Sequence, residues 1–232
     1  MSSLEGRVAV ITGGASGIGK ACARLMHERG ARIAIADMNL EQAQAVAKDL
    51  GGIAVEMDVR VPDSITVGAE KIHKDLGTAD ILVTSAGVTQ LPVPAEELPV
   101  EVWDRMQEVD LRGTWLSAIA FGEPMLKRGK GAIVTIASIT ASRSVAVHSY
   151  AAAKRAVTSI TESLAAEHHA DDININCILP GTIDTAINRA DMPNADHSTW
   201  VPCEDLANTM LFLTSPLARS INGAVIPVYG KS

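Results

Sequence analysis

Tyr150 and Lys154 stand four positions apart, and Ser138 precedes the tyrosine by twelve. On a helix, positions i and i+4 share one face. A phenol ordinarily ionises near pH ~10. An ammonium close by favours the phenolate and brings such a group toward the range in which general acid/base catalysis works. A serine hydroxyl beside it can steady the oxygen of a reacting alcohol or ketone. The spacing Tyr-x-x-x-Lys is common on surface helices, so alone it says little. Here the chain holds only two tyrosines, and the pair accompanies a serine and a glycine-rich loop.

That loop reads Thr12-Gly13-Gly14-Ala15-Ser16-Gly17-Ile18-Gly19. It lies between an apolar β-branched run and a helical pattern. Glycines allow a tight turn and a close approach to a pyrophosphate, and a following helix offers free N–H groups and its positive end. The candidate phosphate cradle is therefore Gly13, Ser16, Gly17, Ile18 and Gly19. Asp37 ends the second apolar run, eighteen residues after Gly19. An acid there accepts from ribose hydroxyls and repels a 2′-phosphate. Neither Met38, Asn39 nor Ser16 supplies a cation for that phosphate, so NAD is expected over NADP. Asp58-Val59 and Ser85-Ala86-Gly87 follow later strand-like runs, where ligands bind in open α/β sheets.

The elements that must carry these residues alternate. Strand-like runs occur at Arg7–Ile11, Ala31–Ala36, Ile53–Met57, Asp80–Thr84, Ala132–Ala137, Ile173–Leu179 and Ala224–Val228. Helical spacing lies between them, with long helices expected over Val100–Lys127 and Tyr150–His169. Short strands separated by helices imply βαβ crossovers. Near-continuous apolar strands imply burial on both faces. The expected fold class is α/β: a Rossmann-type, doubly wound parallel sheet of about seven strands with helices on both faces. No linker divides the 232 residues, and one domain, 1–232, is expected. The stretch 182–202 has no clear period and reads as a substrate loop.

Composition narrows the partners. Hydrophobic residues make up 47% of the chain, enough for a sizeable core, and the formal charge is −7 without a basic cluster. Nucleic acid and anionic membranes need a basic face, so neither is an expected partner. No apolar run is long enough to span a bilayer. The N-terminal Met1–Gly6 segment does not resemble a signal peptide. Cys22, Cys177 and Cys203 form neither a disulfide framework nor a metal motif; they suit buried positions in a reducing cytoplasm. His168 and His169, with Glu167, Asp171 and Asp172, read as a solvated helix end, and no metal is expected.

Taken together, these motifs resemble the short-chain dehydrogenase/reductase family along nearly the whole chain. Its TGxxxGxG loop corresponds to Thr12, Gly13, Gly17 and Gly19, and its serine–tyrosine–lysine set to Ser138, Tyr150 and Lys154. A proline-glycine segment after the sixth strand corresponds to Pro180-Gly181-Thr182-Ile183-Asp184-Thr185, with Asn176 fitting the same pattern. The resemblance implies that Ile183 backbone groups hold the nicotinamide amide, with Thr185 near the amide or pyrophosphate. It also implies a homotetramer built partly on the two long helices; the second of these carries small residues at 151, 152, 153, 156 and 165.

The sequence departs from the family pattern in three places. Ser85 replaces the asparagine of Asn-Ala-Gly, removing an expected tie between central strands. The stretch between Gly181 and Glu204 is short. Asp110, in Val109-Asp110-Leu111-Arg112-Gly113, replaces a catalytic asparagine that anchors a water linking the lysine to solvent. Its charge opposes the phenolate if it lies near the relay. If the carboxylate points elsewhere, only its carbonyl serves. Distance decides between the two.

What the resemblance implies is hydride transfer between a nicotinamide and a secondary alcohol or ketone. Tyr150 is the acid/base, Ser138 steadies the oxygen, and Lys154 binds the ribose and activates the phenol. Gln90, Thr140 and His148 are candidate substrate contacts. Two alternatives stay open: a non-catalytic NAD-sensing or scaffold protein, since fold does not fix function, and a carbonyl reductase working mainly in the reducing direction.

Overall fold

β-Branched residues fill the short apolar runs, and a pleated surface buried on both faces suits them. In the computed structural model, which describes residues 3–143 and 146–231, these runs become seven strands. They are β1 (Val8–Thr12), β2 (Arg32–Asp37), β3 (Ile53–Glu56), β4 (Ile81–Thr84), β5 (Gly131–Ile136), β6 (Ile173–Pro180) and β7 (Val225–Val228). Each lies within a residue or so of its expected span. All pairings are parallel, in the order β3-β2-β1-β4-β5-β6-β7. The chain reverses direction across the sheet between β1 and β4, where open α/β sheets leave a crevice at the strand C-termini. Met1 and Ser2, from the N-terminal segment considered above, lie outside the described residues.

Alternate strand residues feed two cores. Ile11, Ile33, Ile35 and Val83 pack beneath α1 (Gly17–Glu28), α2 (Leu40–Asp49) and α8 (Cys203–Leu213). Val10, Ala34, Leu82 and Ile133 pack with residues of α3 (Pro62–Leu76) and α5 (Thr114–Arg128), including Ile72, Phe121 and Met125. The period-2 pleat sends neighbours such as Val10 and Ile11 to opposite faces. Cys22 lies in the first core and Cys177 in a third, smaller cluster with Ala137, Val157 and Leu179, and burial pushes the Cys22 thiol up to about 12.

One expectation about helices needs correction. Val100–Lys127 is not one α-helix: α4 (Val100–Met106) passes into a π-helical stretch, Gln107–Gly113, before α5 begins. A π turn closes i→i+5 bonds and re-aims the residues within it, a geometry that apolar spacing does not encode. The stretch 182–202 also contains a short helix, α7 (Ala186–Asp191), capped by the Thr185 hydroxyl, which accepts from the Asn188 amide at 3.2 Å. Helix α6 (His148–Glu167) forms as expected. Of its small residues, however, Ala153 and Ala165 face the chain's own interior and are not part of an outer packing surface.

Candidate active site

The glycine loop turns from β1 into α1 at the crevice. Gly13 has φ +65°, and a Cβ there would come within 2.6 Å of the Ala86 backbone; a Cβ on Gly19 would lie 2.4 Å from the Gly13 carbonyl. Only glycine permits this packing of the β1 and β4 ends. Thr12 supplies part of the tie expected from the missing asparagine. Its carbonyl accepts from the Ser85 amide at 3.1 Å, and its hydroxyl accepts from the Ala86 amide at 3.4 Å. Ser16 N-caps α1 without a side-chain hydrogen bond, so the first-turn amides are not capped by their own side chain. A cavity of about 360 Å³ lies beside Ser16 and Gly17, lined also by Lys20, Gln42 and Asp49. Ile18 packs against the first core. The cradle fits a dinucleotide: its glycines leave no side chain between the backbone and a pyrophosphate.

Asp37 sits at the end of β2, against the loop. Its Oδ2 accepts from the Ala15 amide at 3.1 Å and its Oδ1 from the Asn39 amide at 3.0 Å. Asp58 is already engaged: Arg60 grips it bidentately, at 2.6 Å in the shortest contact, and holds the carboxyl below its usual range. The expected ligand contact at Asp58 therefore competes with an ion pair. Val59 is buried, and a Cβ on Gly113 would come within 2.7 Å of its Cγ2. Its visible role is to seat the π stretch.

Across the crevice, Ser138 follows β5 and is nearly buried; its Oγ accepts from the Thr140 amide at 3.2 Å. Tyr150 is half-buried on the first turns of α6. Lys154 is buried one turn later, its Nζ 5.7 Å from the centre of the Tyr150 ring. The ammonium donates to the Ile136 carbonyl at 3.0 Å and pairs with Asp110 Oδ1 at 3.0 Å. Asp110 is 0% exposed. The π stretch aims its side chain inward, where Oδ1 also accepts from the Val88 amide at 3.2 Å. Its own carbonyl accepts from the Thr114 hydroxyl at 2.8 Å. Burial opposes the charge on Lys154, but the Asp110 carboxylate, with Tyr150, outweighs it and holds the ammonium above its ordinary value. Burial raises the Asp110 carboxyl, and Lys154 and the Val88 amide offset this only partly. Gly87 closes the group: a Cβ there would stand 2.8 Å from Asp110 Oδ1 and 3.5 Å from Lys154 Nζ.

After β6, Gly181 donates its amide to Val228 at 3.0 Å. The Ile183 carbonyl accepts from the Thr185 amide at 2.9 Å and from Asn188 Nδ2 at 2.8 Å, which uses both its lone pairs. Of the two backbone groups expected to hold an amide, the carbonyl is thus committed within the chain. Thr185 does approach the loop, with its Cγ2 3.6 Å from where a Gly17 Cβ would be. Asn176 is structural: its amide donates to Ile221 at 2.8 Å and its oxygen accepts from Ala224 at 2.9 Å, joining β6 to the approach to β7.

Among the substrate candidates, Gln90 Oε1 accepts from the Ser149 hydroxyl, and Gln107 Nε2 donates to the Ser149 carbonyl at 3.1 Å. This bracket around the residue before Tyr150 had no signal in sequence spacing. Gln90 Nε2 and Thr140 Oγ1 are buried without a partner. His148 is exposed at the start of α6. Tyr229, also unforeseen, reaches back to the loop after β5: its hydroxyl lies 2.7 Å from Ser142 Oγ, under the Arg143 guanidinium. A larger groove of about 840 Å³ between α3 and α5, lined by Ile65, Trp115, Ile119 and Pro124 among others, holds none of the candidate catalytic residues. Among the described residues no group of three acidic, histidine or cysteine side chains is placed to hold a metal ion. No helix among them is long and apolar enough to cross a membrane.

The chain is similar to known proteins along nearly its whole length. The family model described as enoyl-(acyl carrier protein) reductase matches residues 13–230. The chain is 38% identical to D-threitol dehydrogenase of Mycolicibacterium smegmatis, over 98% of this chain and 93% of that protein. It is 35% identical to an NAD-dependent glycerol dehydrogenase of Listeria innocua, over 98% and 94%. A solved structure described as ribose-5-phosphate isomerase from Brucella melitensis superposes with a TM-score of 0.94 at 38% identity, covering 99% of this chain and 93% of that one.

Proposed function

Because the chain belongs to the short-chain dehydrogenase/reductase family, we propose that it is an NAD(H)-dependent oxidoreductase that interconverts a secondary alcohol and a ketone. The observation that carries this reading is the buried Lys154 ammonium, 5.7 Å from the Tyr150 ring on the same face of α6. The bound nicotinamide would accept or return the hydride. In alcohol oxidation the Tyr150 phenolate accepts the hydroxyl proton, Ser138 donates to the substrate oxygen, and Lys154 keeps a positive charge beside the phenol. In ketone reduction the Tyr150 hydroxyl gives that proton back.

Cofactor choice rests on Asp37, whose carboxylate at the edge of the glycine loop favours free ribose hydroxyls over a 2′-phosphate. Gly13, Ser16, Gly17, Ile18 and Gly19 would cradle the pyrophosphate. Ser85-Ala86-Gly87 and Pro180-Gly181 would line the nicotinamide side with Thr185, and the Ile183 N–H would meet the amide. The stretch 182–202 would cover the substrate. A cytoplasmic location is supported by the three free cysteines, and cell fractionation tests it.

The activity test is NAD reduction against a panel of secondary alcohols and polyols. Threitol and glycerol are included because two relatives are named for them. Tyr150→Phe keeps the ring and removes the proton, so turnover should fall by about 10²–10⁴-fold while NAD still binds. Activity within a few-fold of the unsubstituted enzyme would remove Tyr150 from the chemistry.

A further inference from the structure

The charge balance at Lys154 differs from what a neutral side chain at position 110 would give. An ammonium has three N–H donors. Here one serves the Ile136 carbonyl and one the Asp110 carboxylate, both at 3.0 Å, leaving a single donor for the cofactor ribose or Tyr150. Asp110 has little freedom to leave. It is fully buried, it accepts from the Val88 amide, and Gly87 has no Cβ to hold it off. The main-chain carbonyl of Asp110 already receives the Thr114 hydroxyl. The contact between this element and Lys154 is therefore made by the carboxylate itself.

We infer that Asp110 is a positioning residue acting as the resident counterion of Lys154, so that Tyr150 faces an ion pair of nearly zero net charge and reaches its phenolate form only at higher pH than beside an unpaired ammonium. The inference rests on the assignment of Tyr150 as the acid/base. Other charges bear on the cluster from each side. Arg105 of α4 acts on Asp110, and Tyr150 and the Cys177 thiol of β6 act on Lys154. Burial raises the Cys177 thiol, which keeps it neutral, and Arg105 is not in direct contact with the carboxylate. The direct ion pair is the dominant local field because screening is weak in a buried site.

The two-tyrosine composition allows a test without cofactor or substrate. In a Tyr229→Phe background the phenolate absorbance reports Tyr150 alone. Adding Asp110→Asn, the neutral residue of the family pattern, should move the phenolate titration midpoint down by about one pH unit, the scale of a single nearby charge. Asp110→Ser should move it in the same direction. With saturating NAD, the alkaline-rising limb of kcat/KM for alcohol oxidation should shift likewise in Asp110→Asn. Unmoved midpoints in both variants, or a shift to higher pH, would overturn the counterion role. A purely structural role would lower the unfolding temperature without moving the midpoint. Because the titration needs no turnover, failure to find an alcohol substrate would count against the oxidoreductase reading and leave this result standing.

Discussion

Single carboxylates set the two sharpest contrasts in this site. Asp37 lies against the glycine loop through the Ala15 amide, and in the proposed reading its charge is the obstacle to a 2′-phosphate. Asp37→Ala should therefore narrow the ratio of kcat/KM for NAD over NADP by about tenfold, roughly 1.4 kcal/mol. A preference for NADP in the unsubstituted enzyme would refute the assignment. Asp110 has the opposite environment, buried instead of half-exposed. Its raised carboxyl means that the folded chain binds a proton the unfolded chain has already released. By linkage, its contribution to stability falls as pH rises from the ordinary carboxylate value of 3.8 through the raised folded value, and it is flat above that. The unfolding temperature of the unsubstituted protein minus that of Asp110→Asn should thus be larger near about pH 4 than near about pH 7. A difference that grows with pH would mean the carboxyl is stabilised as the anion. Asp58, paired with Arg60 and pushed below its usual range, has the reverse sign: its contribution is present above the ordinary value and lost as pH falls through the lowered one.

Between residue and fold, two short elements do the positioning. The glycine loop needs a left-handed residue at position 13 where β1 meets the end of β4. Gly13→Ala should cost at least the ~1–2 kcal/mol of a left-handed L-residue, with a further penalty from the 2.6 Å approach to Ala86. For a chain of this size that is a fall of about 2–8 °C in Tm, together with weakened NAD binding by calorimetry. An unchanged Tm would show that the loop relaxes freely. The π stretch is the second element. It carries Asp110 into the interior, and Gly113 within it fits closely against Val59.

On the scale of the whole molecule, apolar side chains of α5 stand exposed along the groove against α3. Trp115 and Ile119 there are 43% and 41% exposed, and exposed apolar side chains of this kind mark association sites. For the homotetramer that the family resemblance implies, light scattering should give about 98 kDa, four times the 24.4 kDa chain. Trp115→Glu should lower that mass while leaving the fold intact. A 24.4 kDa species at micromolar concentration would exclude the assembly.

Apolar periodicity and turn residues are local properties, and they determined much of this protein. The seven strands, their helical crossovers, the glycine loop and the Tyr150–Lys154 pairing were all legible, because each depends on spacing along the chain. So was Asp37, which needs only to end a strand after a glycine loop. The tertiary structure alone decided the rest. Whether Asp110 meets Lys154 depends on a π turn whose extra residue per turn leaves no trace in hydrophobic pattern, and on packing between α6 and a segment some forty residues earlier. The Arg60 grip on Asp58 and the internal partners of Ile183 and Asn176 were equally hidden. A side chain's hydrogen-bond partner is fixed by which donors the fold brings within about 3 Å, and sequence spacing does not carry that distance.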